Sequence, residues 1–196
     1  MRVRAGNPRH MQGGNMVLVG FMGCGKTAVG KSLAKLTGRR FADIDRIIGR
    51  KAGMSIASIF RKMGETRFRN MEHREVRALS RMHDRVVAVG GGAAVFTRNR
   101  SWLRKAGVVI YLRVPVPVLV GRLAGSSGRP LIASARGDRR ALASLVRKLL
   151  GKREGSYLAS AHLTVDGGRG APQSVARRIL GSIRDGGGGM IQRAGL

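Results

Sequence analysis

The sequence predicts an α/β domain built on a parallel sheet with helices over both faces. Three observations lead there. Short apolar strands and amphipathic helical stretches alternate along the chain. The first strand runs through GFMGCGKT straight into a helix. The 196 residues suffice for one domain of ordinary size with a real core.

The elements follow in order. MVLV (16–19) is a buried strand. The helix after the glycine loop carries Val29, Leu33 and Leu36 on one stripe and closes at Gly38. FADID (41–45) reads as a short strand running out into a loop, and alternation would put Asp43 and Asp45 on the same side. Ser55 caps a helix carrying Ile56, Ile59 and Phe60. A further helix covers about 66–82, with Met71, Val76 and Leu79 inward. VVAV (86–89) is a strand ending in GGG (90–92). A short helix near 98–105 precedes the strand VVIYL (108–112), and Pro115 and Pro117 suit the first turn of the next helix. Residues 125–140 are polar, glycine-bearing and basic, and read as a mobile surface loop. A helix at 139–157, a strand LTV (163–165) and a helix from Pro172 to near Arg184 complete the domain. Residues 1–15 read as a disordered basic extension, with Met11 and Met16 as alternative starts, and 185–196 as a flexible glycine-rich tail.

Composition narrows the classes. No run of 18 or more apolar residues is present to span a membrane, and the N-terminus lacks the apolar core of a secretory signal, which favours the cytoplasm. The single cysteine, Cys24, excludes an internal disulfide. The net charge of +28 would suit a nucleic-acid partner, but the basic residues are scattered and few aromatics accompany them. Specific nucleic-acid binding is therefore not expected, whereas weak salt-sensitive retention on polyanions is. Acids are scarce: of ten, four fall within residues 43–72, Asp43, Asp45, Glu65 and Glu72.

The chemistry lies first in GFMGCGKT, which fits G-x-x-x-x-G-K-[ST]. Glycines let backbone N–H groups face inward, and the new helix points its positive end at the same spot. Gly23, Cys24, Gly25, Lys26, Thr27 and Ala28 form a phosphate cradle, with Lys26 reaching the β and γ phosphates and Thr27 on Mg²⁺. Two absences direct the reading. There is no N-K-x-D element to read guanine, and VVAV ends in Gly90 rather than in a metal-holding aspartate. The metal-side carboxylate must come from elsewhere, and the end of FADID is available.

From residue 16 to 184 the chain resembles the shikimate kinase family. The resemblance rests on GFMGCGKT, D-x-D at Asp43 and Asp45, SIASIF, GETRFRNME (64–72), GGGA (90–93), Arg122, RPLI (129–132) and KREGSY (152–157), in order and at family spacing. It implies a P-loop fold of nucleoside-monophosphate-kinase type with a five-stranded parallel sheet and a mobile lid at about 125–140. It implies transfer of the ATP γ-phosphoryl group to the 3-hydroxyl of shikimate by a monomeric, Mg²⁺-dependent enzyme of aromatic amino-acid synthesis. Asp43 would hold Mg²⁺ with Thr27. Asp45 would bond the acceptor hydroxyl. Arg69 and Arg153 would grip the shikimate carboxylate, and Glu72 would orient Arg69 or form only a surface ion pair. Gly91 and Gly92 would approach the ring hydroxyls, and Phe60 and Phe68 would wall the ring or serve the core. Arg129 would be the lid arginine and Arg122 a second phosphate-side arginine. Arg169, in Arg169-Gly170-Ala171-Pro172, would lie on the adenine side. Asp45 has a second reading, as cap of a helix starting near Arg46. Two rival functions stand beside this one: a kinase of another small hydroxy acid such as gluconate, and a kinase-like domain that has lost catalysis and binds a partner.

Overall fold

The computed structural model describes residues 14–125, 130–135 and 137–186. Strands β1 (Asn15–Val19), β2 (Arg40–Asp43), β3 (Arg85–Ala88), β4 (Gly107–Arg113) and β5 (Leu163–Asp166) form one sheet in the order β2-β3-β1-β4-β5. Every pairing is parallel. The connections carry helices α1 (Lys26–Thr37), α2 (Ile44–Ala52), α3 (Ile56–Ala78), α4 (Thr97–Ala106), α5 (Val116–Ala124), α6 (Arg139–Ser160) and α7 (Pro172–Gly186). Central strands buried on both faces read as unbroken apolar runs, and all five residues of β1 are buried.

Several expectations change. β1 starts at Asn15, whose side chain is fully buried, so the domain begins before Met16. The Asn15 amide donates to the carbonyls of Leu79, Met82 and Ala106 and accepts from the Arg85 N–H. Leu36 is exposed rather than inward, and the buried stripe of α1 is Val29, Gly30, Leu33 and Ala34. α6 runs on to Ser160, and α7 reaches Gly186. Within the expected surface loop, Pro130–Ala135 is a short 3₁₀ segment that buries Ile132 and Ala135. Of the expected extension (residues 1–15), residues 1–13 lie outside the described residues, as does most of the expected tail.

The largest correction concerns FADID. The strand ends at Asp43, and Ile44 already opens α2. Asp43, not Asp45, is the cap: its Oδ1 accepts from the backbone N–H of Asp45 and Arg46. Asp45 sits in the first helical turn, so strand alternation does not decide where its side chain goes. The expected break before the 66–82 helix appears as a kink in α3 at Gly64, whose φ of 77° and ψ of 168° lie outside the helical region. Ser55 caps α3 as expected, accepting from the Ser58 N–H at 3.1 Å.

Candidate active site

In an all-parallel sheet the carboxyl ends of the strands share one edge, and ligands bind there. β1 delivers the glycine loop, β2 delivers Asp43 and β3 delivers Gly90–Gly92. A cleft of about 530 Å³ opens at this edge. It is lined by Gly23, Gly25, Lys26, Thr27, Ala28, Asp43, Asp45, Phe60, Phe68, Arg69, Glu72, Gly91, Gly92, Arg122 and Arg153, all named from the sequence. It is also lined by Met22, Ile56, Ala88, Val89, Gly90 and Leu131.

At the phosphate side, Lys26 Nζ lies over the loop, donating to the carbonyls of Gly20 (2.8 Å) and Phe21 (3.0 Å). Thr27 Oγ1 donates to Asp43 Oδ2 at 2.9 Å. A hydroxyl and a carboxylate thus meet beside the phosphate loop, both oxygen donors of the kind a hard cation takes. Cys24 is buried beneath the loop, with Sγ 3.6 Å from Lys26 Nζ, and does not face the cleft. Arg122 ties the loop to the chain after β5, through the carbonyls of Cys24 and Gly167 at 3.2 Å each.

The opposite wall is built around Arg69. Its Nη1 donates to Glu72 Oε2 at 2.9 Å, and its Nε and Nη2 donate to Glu65 Oε1 at 3.1 and 3.0 Å. Its Cζ lies 5.9, 5.1 and 5.2 Å from the ring centres of Phe60, Phe68 and Phe96, a cation held among aromatic faces. Phe60 and Phe68 pack on each other at 4.6 Å, so they serve cleft and core together. Glu72 has no solvent exposure, which removes the surface ion-pair reading. Burial pushes its carboxyl above the ordinary range; Asp45 adds to that push, while Arg69 and Arg153 oppose it.

The glycine turn after β3 exists because these groups crowd it. A Cβ on Gly90 would lie 2.7 Å from Glu72 Oε1 and 2.8 Å from Asp45 Oδ1. A Cβ on Gly92 would lie 2.6 Å from Arg69 Nη1. Asp45, Glu72 and Arg69 therefore converge on one backbone turn. Tyr157, fully buried, donates its hydroxyl to the Gly91 carbonyl at 2.5 Å. Burial raises the Tyr157 pKa, which keeps it a donor.

Like Cys24, another predicted residue is absent from the cleft lining. Arg169 is on the β5–α7 loop at the same edge of the sheet but outside the cleft lining, with its side chain 90% exposed and 3.7 Å from Asp166. Arg129 lies outside the described residues. Four contributors carried no role in the sequence reading: Glu65, Gly90, Phe96 and Tyr157. Tyr157 had a signal, since it stands one helical turn after Arg153 inside KREGSY.

A phosphate cradle, a hydroxyl–carboxylate pair and a separate arginine-centred wall in one cleft of a parallel sheet define a P-loop kinase of a small molecule. Residues 22–184 match the family model for shikimate kinase. The chain is 43% identical to a shikimate kinase of Geobacter sulfurreducens, over 88% of this chain and 92% of that one. It is 38% identical to one of Nitrosomonas europaea, over 87% and 79%. Among solved structures it resembles a shikimate kinase from Acinetobacter baumannii in complex with shikimate, with a TM-score of 0.81, 38% identity, and coverage of 88% and 93%. The chain belongs to the shikimate kinase family.

Proposed function

We propose that this protein transfers the γ-phosphoryl group of ATP to the 3-hydroxyl of shikimate, giving shikimate 3-phosphate and ADP on the route to chorismate and aromatic amino acids. One observation carries the reading: the phosphate loop, Asp45 and the arginines Arg69 and Arg153 line a single cleft. The ATP phosphates lie on the backbone of Gly23–Ala28, and Lys26 leaves its loop carbonyls to reach them. Thr27 and Asp43 are the residues that would hold Mg²⁺, a cation bound by few protein oxygens together with phosphate. When bound, the ion offsets charge on the β and γ oxygens.

The acceptor carboxylate faces Arg69 and Arg153, where a guanidinium fork suits a planar anion. The ring lies against Phe60 and the Gly91–Gly92 turn. Asp45 accepts a hydrogen bond from the acceptor hydroxyl and orients its oxygen toward the γ phosphorus. The new P–O bond forms as the β–γ bridging bond breaks, and the hydroxyl proton passes to Asp45 or to solvent. Arg122 holds the loop beneath the phosphates.

The test is ADP release from Mg·ATP with and without shikimate, for wild type and Lys26→Ala. Release should depend on shikimate, and the variant should be slower by about 10²–10³-fold. Release driven equally well by gluconate, or a full rate in Lys26→Ala, would overturn the reading.

A further inference from the structure

Arg69 already holds a carboxylate in this structure. Its Nε and Nη2, the side of a guanidinium that suits a planar anion, both donate to Glu65 Oε1. Glu72 takes Nη1 from the other side and belongs to the wall, with no exposure of its own. The arginine therefore has two carboxyl partners before any acceptor arrives.

Glu65 differs from Glu72 in three ways. Its side chain is 56% exposed, so leaving Arg69 returns its charge to water at little cost. Both of its bonds fall on one oxygen, whereas a carboxylate offering two oxygens would pair better with the same two N–H groups. It also follows Gly64, the non-helical joint of α3. A Cβ at Gly64 would meet nothing within 4 Å, so backbone conformation rather than packing asks for glycine there. The short helical segment before the joint carries Ile56 and Phe60 into the cleft.

We infer that Glu65 is an internal stand-in for the acceptor carboxylate, and that the acceptor binds by exchanging with it on Arg69. This rests on the proposed reading that the acceptor carries a carboxylate met by Arg69. The exchange makes Glu65 a specificity-determining residue. An anionic acceptor replaces one carboxylate by another and keeps the buried guanidinium paired. An uncharged polyol would have to leave Glu65 in place or strip Arg69 of a partner, which buried charge resists.

The experiment is steady-state kinetics of the full chain as wild type, Glu65→Gln and Glu65→Ala. Shikimate-dependent ADP release by wild type comes first, because its absence overturns the parent reading and not this inference alone. Given that release, KM for shikimate should fall by about 3- to 10-fold in Glu65→Gln and at least as far in Glu65→Ala, since a competitor has been removed. The gain should fall in KM for shikimate rather than in kcat, with KM for ATP unmoved. A KM for shikimate that stays the same or rises in both variants would make Glu65 a fixed brace of Arg69 and overturn the inference.

Discussion

Glu72 is the residue at which burial and pairing compete most directly. Its Oε2 accepts from Arg69, while its Oε1 is buried with no hydrogen-bond partner and faces Gly90 beside Asp45. Burial first, and then the neighbouring Asp45 carboxylate, make Glu72 hold its proton more tightly than the ordinary 4.5, although Arg69 opposes them. The linkage follows in sign. Between 4.5 and the raised value the folded chain binds more proton than the unfolded chain, so stability falls as pH rises. The contribution is fully present below the unfolded value and lost through the folded one. Glutamine cannot titrate, so the Tm of wild type minus that of Glu72→Gln should shrink as pH is raised from about 4 to about 8. A difference that grows with pH in thermal melts would mean that Arg69 keeps Glu72 ionised.

At the scale of elements, α6 and the turn after β3 act as one unit. α6 carries Arg153 into the cleft, and one turn later Tyr157 ties the same helix to the Gly91 carbonyl. Tyr157 is packed against Tyr111 of β4, ring centres 5.2 Å apart, so its hydroxyl is aimed by the core. Tyr157→Phe keeps the ring and removes the bond, leaving a carbonyl unpaired. A single neutral hydrogen bond is worth about 0.5–1.5 kcal/mol. KM for shikimate should rise by about 2- to 10-fold, while KM for ATP, set by α1 and the phosphate loop, stays put. An equal rise in both constants would point to general loosening of the fold instead.

For the whole molecule, Asn15 is the knot. One side chain at the start of β1 reaches Leu79 just after α3, Met82 three residues further on, the end of α4 and the first residue of β3. Asn15→Ala would leave several buried backbone groups without partners, each costly on its own. We expect a loss of about 2–4 kcal/mol in urea unfolding, with the cleft chemistry unchanged in the folded fraction. A loss below about 0.5 kcal/mol, the ordinary effect of a surface change, would mean that the amide is dispensable. The charge of +28 belongs to this scale too. Among the described residues the cations that matter to the cleft are few, chiefly Lys26, Arg69, Arg122 and Arg153.

The α/β class and the phosphate loop were legible in the sequence, and its resemblance to a known family named most of the other residues that line the cleft. Each is written in short-range pattern: apolar runs of strand length, glycines before Lys26 and Thr27, and motifs in a set order. The sequence also placed the break between the two halves of α3. It misread FADID, because strand and helix differ there by the capping of a single residue: Asp43 takes two backbone N–H groups and starts α2 at once. What Asn15, Glu65, Gly90 and Tyr157 do emerges from the folded arrangement. The partners of Asn15, Gly90 and Tyr157 lie on other elements, and no local periodicity records such distances; Glu65 meets Arg69 one helical turn on, but only packing shows that this arginine is desolvated. The folded arrangement also placed Arg169 on an exposed loop outside the cleft lining, which residue type and spacing do not reveal. Spacing along the chain names the groups a kinase needs. The packing of helices on the sheet decides which are desolvated, which are neutralised by a neighbour, and hence how a carboxylate acceptor would be met.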